Sequence, residues 1–282
     1  MNQIKLPTDI AHVVRAALTE DVGDGDVTAE LIAPDATGVA DIVCRESAVL
    51  SGTAWFDEVF HSLDPHCRIE WRKHDGDALA PDDLICTLSG TARALVTGER
   101  TALNFLQTLS GTATITRHYA AQLDGTGTTL LDTRKTLPGL RSAQKYAVVC
   151  GGGRNHRIGL FDAILIKENH IEAAGSIAAA IRRMRTAYPG LNLEIEVESL
   201  DDARTALASG ADMLLLDNFS LDDLRAAVAL TAGRVKLEAS GGFEYEELRA
   251  VAETGVDFIS VGALTKNVRA TDFSMRFRPA QA

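Results

Sequence analysis

Six apolar runs in the 282-residue chain end on groups able to bind or move charge. They are Leu131-Asp132-Thr133-Arg134-Lys135, Ile166-Lys167, Glu194-Ile195-Glu196, Leu216-Asp217, Ala239-Ser240 and Val261-Gly262. One charged residue closing a strand is ordinarily a solvated boundary residue. A succession of them at the same end of successive strands reads instead as a catalytic rim. Between Arg134 and Glu172, seven basic residues (Arg134, Lys135, Arg141, Lys145, Arg154, Arg157, Lys167) stand against three acids (Asp162, Glu168, Glu172). The whole chain carries a formal net charge of -11, so this excess reads as a local anion site, with His156 and His170 as donors that titrate near neutrality. Arg134 suits a bidentate grip on carboxylate or phosphate, and Lys135 and Lys167 supply compact charges. Arg141 and Lys145 could equally lie on solvated helix faces.

Two glycine turns, Gly151-Gly152-Gly153 and Ser240-Gly241-Gly242, could present backbone N–H groups to a phosphate, the second where a strand passes into a helix. Tight βα turns need glycine anyway, so each is weak by itself. Glu196 and Asp217 close strands one βα unit apart, and paired carboxylates beside a phosphate site imply Mg²⁺, with salt bridges to the basic cluster as the competing role. Asp21 to Asp26 lacks the ligand spacing and final Glu of a calcium loop, and reads as a turn.

The elements that must carry these groups are readable from periodicity. A helix is expected from Thr8 to the turn at Gly23, followed by strand-like segments at 38–44, 67–73 and 84–88 that predict a small antiparallel sheet. A long helix follows from about Leu95 to Leu123, with an interruption expected at Ser110-Gly111. Beyond it, strands at 129–132, 162–166, 192–197, 212–216, 235–239 and 257–261 alternate with helices at 140–149, 177–188, 200–209, 221–230 and 245–253. That is the pattern of parallel βα units. The chemistry at the strand ends, and the lack of a dinucleotide or P-loop glycine motif, favour a barrel over an open sheet.

The acidic balance argues against nucleic acid as a partner. Four scattered cysteines without a C-x-x-C pair suggest neither a zinc site nor a disulfide framework, and fit a reducing cytoplasm. The N-terminal residues have no apolar signal-like core and no apolar run reaches about 18 residues, so neither secretion nor membrane insertion is expected.

Seven stretches together make the chain resemble the quinolinate phosphoribosyltransferase family, the decarboxylating nicotinate-nucleotide pyrophosphorylases of NAD synthesis, nearly end to end. They are 20–28 (EDVGDGDVT), 99–104 (ERTALN), 133–136 (TRKT), 154–157 (RNHR), 167–170 (KENH), 215–218 (LLDN) and 238–242 (EASGG). The resemblance implies an N-terminal α/β open sandwich domain at 1–110, which the segment 270–282 could join, and an irregular βα barrel domain at 111–269. It implies a homodimer in which Arg100 crosses to the neighbouring site to bind quinolinate with Arg134, His156, Arg157 and Lys167, beside Thr133. Lys135, Glu196 and Asp217 then serve the ribose, pyrophosphate and Mg²⁺, and Ser240, Gly241, Gly242 and Gly262 the 5′-phosphate. Lys266 stands where many members have a histidine.

The expected reaction joins quinolinate to phosphoribosyl pyrophosphate with loss of CO₂. A dianion meeting a polyphosphate needs dense positive charge. The pyridine nitrogen is itself nucleophilic, so the protein has to orient it and stabilise a positive ribose, with Glu196 or Asp217 as the acid that does so. Three rivals compete. Nicotinate phosphoribosyltransferase would need one carboxylate site where Arg100, Arg134 and Arg157 suit two. A lipoyl-like carrier would need a lysine in Asp75-Gly76-Asp77, and a barrel sugar-phosphate isomerase would not need seven clustered cations.

Overall fold

The computed structural model describes residues 5–279 as two compact units. The first runs to Arg117 and takes back 136–152 and the chain from Leu264 on; the second is 118–135 with 153–263. Strands are numbered along the chain: β1 Thr37–Cys44, β2 Ala48–Val49, β3 Arg68–Trp71, β4 Ala78–Leu79, β5 Leu84–Thr91, β6 Thr129–Leu131, β7 Ile164–Ile166, β8 Leu193–Val197, β9 Met213–Asp217, β10 Lys236–Ser240, β11 Phe258–Ser260 and β12 Phe273–Pro279.

The first unit holds an antiparallel sheet in the order β12-β1-β5-β3 and a short β2-β4 ribbon. Its register follows side-chain alternation. Ala40 faces Leu88 and Ile42 faces Cys86 on the buried side, whereas Asp41 and Thr87 pair on the other, where the Thr87 hydroxyl donates to Asp41 Oδ1 at 2.9 Å. β12 repeats the rule: Phe273, Met275 and Phe277 pack on the core, and Arg278 turns out to Asp41 at 2.7 Å. Against this sheet the helix Thr53–Leu63 buries Trp55, Phe56, Val59 and Phe60, each fully, an apolar stripe worth about 1.5–3 kcal/mol per side chain.

The long helix Ala92–Ala121 runs unbroken through Ser110 and Gly111, contrary to the interruption expected there. Those residues serve packing. Ser110 Oγ accepts the N–H of Ser51 at 3.0 Å, and a Cβ at Gly111 would run into the Arg269 carbonyl. The first of the triple glycines has a similar role: a Cβ at Gly151 would lie 2.5 Å from the Ala113 carbonyl. Arg117 meanwhile donates to the carbonyls of Cys150 and Gly151 at 3.1 and 2.9 Å, closing the C-terminus of the helix Arg141–Cys150. Close packing, then, accounts for Gly151 where a phosphate cradle was one expectation.

The second unit is a parallel βα sheet in the order β6-β11-β10-β9-β8-β7, barrel-like as the alternation predicts. β6 also makes a bridge to Arg154, whose N–H donates to Leu130 O and whose carbonyl accepts from Asp132 N. Ser176, Ser199 and Ser220 cap the helices Ile177–Ala187, Leu200–Ala208 and Leu221–Thr231 by accepting an N–H three residues on. Two of these caps lie just past β8 and β9, so Glu196 and Asp217 stay at the rim. Past β10 the glycine turn leads into a single 3₁₀ turn, Tyr245–Glu247, and the α-helix Leu248–Ala252, within the helical span expected at 245–253.

Candidate active site

Alternation along the parallel strands sorts their polar residues into layers. Glu194 and Glu196 share a face of β8, and Glu238 and Ser240 share a face of β10, since side chains two apart point the same way. In register, Glu196 and Glu238 are both level with Leu215 of β9, and Ser240 is level with Asp217. Charged residues in the middle of such strands are costly unless partnered.

At the C-terminal ends the second unit gathers Thr133, Arg134, Lys135, His156, Arg157, Lys167, Glu196, Asp217, Ser240, Gly241, Gly242 and Gly262. Arg134 and Arg157 are close enough for their charges to matter: partial burial first, and the Arg134 charge second, hold Arg157 below the ordinary arginine range. Arg134 Nε is buried without a hydrogen-bond partner, and Arg157 Nη1 reaches only the Ala163 carbonyl at 3.5 Å. Two guanidiniums whose charges act on each other, with donors unspent, form a place for an anion.

On the neighbouring strand ends, Lys167 Nζ lies 2.5 Å from Glu196 Oε2. The short helix Glu168–Ala174 fixes the residue from which that lysine springs, because the Lys167 N–H donates to His170 Nδ1 at 3.0 Å. His170 is thus a helix cap. Burial, then the charge of Glu196, raises Asp217 above the usual carboxylate range, while Lys167 and Lys135 pull it down. Two like charges in one place are the donor set a hard cation fits.

The glycines have separate local reasons. Gly241 has φ 153°, a backbone glycine favours, with Asn218 Oδ1 3.1 Å from where a Cβ would be. A Cβ at Gly262 would lie 2.9 Å from Lys135 Cδ, so glycine there leaves the lysine its path. The Thr133 hydroxyl accepts the Lys135 N–H at 3.0 Å, which holds the Arg134-Lys135 turn.

His156 makes its visible contacts within the protein. Its Nε2 lies 2.8 Å from Glu194 Oε2 and 3.3 Å from Glu238 Oε2, and its Nδ1 lies 2.7 Å from the Arg157 backbone N. Both ring nitrogens are therefore engaged by protein. Burial works against charge on His156, but the hydrogen bonds and charges of Glu194 and Glu238 outweigh it and raise its proton affinity. Glu194 is raised too, by burial first, with His156 lowering it and the Glu238 charge raising it. The carboxylates thus favour an imidazolium, whereas the Arg157 N–H asks for a lone pair on Nδ1. Nε2 bears a proton in either state.

Neither Glu194 nor Glu238 was singled out from sequence as part of the site. The available signal was an acid inside a parallel strand, two residues ahead of the polar residue at the strand end, in LEIEV and KLEAS. Arg100 is exposed on the long helix, and Arg141, Lys145 and Lys266 also belong to the first unit, so the basic cluster counted along the chain is divided between the two units.

A parallel βα unit whose rim carries paired guanidiniums beside adjacent carboxylates defines the class of barrel-type enzymes that take polyanionic substrates. Within it, residues 112–276 match the family described as quinolinate phosphoribosyl transferase, C-terminal domain, and residues 26–110 match the N-terminal domain of the same description. The chain belongs to the quinolinate phosphoribosyl transferase family. It is 43% identical over 276 residues to a probable nicotinate-nucleotide pyrophosphorylase [carboxylating] of Bacillus subtilis, covering 98% of this chain and 94% of that one. The solved nicotinate-nucleotide pyrophosphorylase of Francisella tularensis superposes with TM-score 0.92 at 46% identity, covering 99% of this chain and all of that one. NadC from Streptococcus pyogenes gives 0.95 at 38%, with 99% and 100% covered.

Proposed function

We propose that this chain transfers the phosphoribosyl group of phosphoribosyl pyrophosphate to quinolinate and releases CO₂, giving nicotinate mononucleotide and pyrophosphate in NAD biosynthesis. The observation that carries this reading is the Arg134–Arg157 pair with its unspent donors, at strand ends of the same unit that carries Lys167, Glu196 and Asp217. A ring with two adjacent carboxylates fits such a pair better than a ring with one. Arg134, Arg157 and Lys167 bind and orient the pyridine so that its nitrogen approaches C1 of the ribose. There the C1–oxygen bond breaks and its electron pair leaves with pyrophosphate.

Glu196 or Asp217 stabilises positive charge on the ribose, and Lys135 steadies the departing oxygens. Mg²⁺ is the proposed cofactor, held by Glu196 and Asp217; when bound it neutralises phosphate charge. Ser240, Gly241, Gly242 and Gly262 are proposed for the 5′-phosphate. Once the nitrogen is alkylated, CO₂ departs and leaves its electron pair on the ring carbon, where the adjacent positive nitrogen stabilises it until a proton takes the carboxylate's place. His156 has both ring nitrogens engaged, so its part is to hold Arg157 in place, with no direct bond to substrate from those nitrogens.

We also propose a homodimer in which Arg100 completes the partner's site, and a cytoplasmic location in keeping with the exclusions above. No helix among the described residues is long and apolar enough to cross a membrane. The test is incubation with quinolinate, phosphoribosyl pyrophosphate and Mg²⁺, followed by chromatography for nicotinate mononucleotide. Product from nicotinate in place of quinolinate would overturn the reading.

A further inference from the structure

Arg157 sits on an irregular segment, and little holds its side chain. The Ala163 carbonyl is at the limit of hydrogen-bond reach, 3.5 Å, and the Arg134 charge repels it. Beyond it the loop is gathered by Asp162, whose carboxylate accepts the N–H groups of Ile158 and Gly159 at 2.8 and 2.9 Å. On the other side the fixation comes from below. The His156 N–H donates to Asp132 Oδ1 at 2.8 Å, and Asp132 is fully buried. The His156 ring accepts the Arg157 N–H and turns Nε2 onto Glu194 and Glu238, which are 3% and 1% exposed. Two carboxylates this deep, with Glu194 Oε1 left without a hydrogen-bond partner and Glu238 Oε2 facing only the His156 ring at 3.3 Å, are costly in the strands unless they hold something.

We infer that Glu238, with Glu194, is a positioning residue: the two buried carboxylates clamp the His156 ring and so fix the backbone that delivers the Arg157 guanidinium beside Arg134. This rests on the reading of the site as one for quinolinate. It adds that recognition of the second carboxylate depends on residues that never touch it. Glu238 lies on β10, Glu194 on β8, and His156 ahead of β7, so the clamp ties three separate segments to one arginine.

The consequence is a split in kinetic parameters. Glu238→Ala should raise the KM for quinolinate about tenfold or more while the KM for phosphoribosyl pyrophosphate stays within about twofold. Glu238→Gln keeps an oxygen that Nε2–H can reach, and should restore the quinolinate KM to within about threefold of wild type. An unchanged quinolinate KM in Glu238→Ala would overturn the proposal, as would an equal rise in both KM values with a lowered Tm, which is the mark of general loosening. A readout without substrate covers the case where the alanine variant does not fold. In ¹⁵N NMR of the wild-type protein, His156 should show its proton on Nε2, and a ring protonated on Nδ1 alone would contradict the clamp. One equivalent of transition metal retained through dialysis by wild type and lost in Glu238→Gln would also overturn it, since the triad would then be a metal site. If the wild-type protein does not turn over quinolinate, the functional reading falls while the ring tautomer still decides the clamp.

Discussion

Arg134 concentrates the argument at the scale of single residues, because a buried guanidinium nitrogen with no partner is a cost to folding that binding an anion would remove. Arg134→Ala should therefore weaken quinolinate binding by about 2–3 kcal/mol, roughly 30- to 150-fold, while Tm stays within about 2 °C of wild type. Calorimetric titration and a thermal melt check this; near-wild-type affinity would remove Arg134 from the binding site. The rim positions were legible in the sequence because each closes an apolar run with a polar group. What lies beneath them was not. Glu194 and Glu238 are read along the chain as ordinary acids, and only their burial and their 2.8 and 3.3 Å approaches to His156 show that they form a unit.

Among the elements, the parallel strands stood out as apolar runs, buried almost throughout, and the helices between them as 3.6-residue periods. Strands of two residues such as β2 and β4 carry too little pattern to be read. Gly111 was read wrongly as a break, since sequence gives no sign of what passes close by, whereas Gly23 does end its helix. Gly111→Ala should cost about 2 kcal/mol or more through collision with the Arg269 carbonyl, lowering the urea midpoint with an unchanged slope; an unshifted midpoint would mean that the helix and the 269–270 backbone can part freely. Another test concerns the helix Thr53–Leu63, whose Asp57 accepts the Trp71 indole N–H of β3 at 2.9 Å. Burial, only partly offset by that bond, pushes Asp57 from the ordinary 3.8 up to about 6. A raised carboxyl pKa contributes stability that is complete below 3.8 and lost as pH climbs through about 6. Asp57→Asn keeps an acceptor without the charge, so its Tm should match wild type at pH 4 and exceed it by about 2–5 °C at pH 8. A constant difference across that range would show that burial does not govern Asp57.

At the scale of the whole molecule, an acidic chain concentrates positive charge where two anionic substrates are proposed to meet, and the family match spans both units. Composition and periodicity contain nothing about self-association, which enters through resemblance alone. The proposed crossing of Arg100 makes a specific demand. Arg100→Ala and Arg134→Ala chains, each inactive alone, should regain about a quarter of wild-type activity when coexpressed, because half the dimers are mixed and one of their two sites is intact. No recovery would mean that Arg100 acts within its own chain or not at all. The central claim is that one site joins the ribose to quinolinate and expels the carboxylate beside the nitrogen. Quinolinate labelled with ¹³C in that carboxylate, supplied with phosphoribosyl pyrophosphate and Mg²⁺, tests this directly by mass spectrometry. The account predicts ¹³CO₂, pyrophosphate and unlabelled nicotinate mononucleotide in equal amounts; nucleotide that retains the label, or turnover of nicotinate without quinolinate, would contradict it.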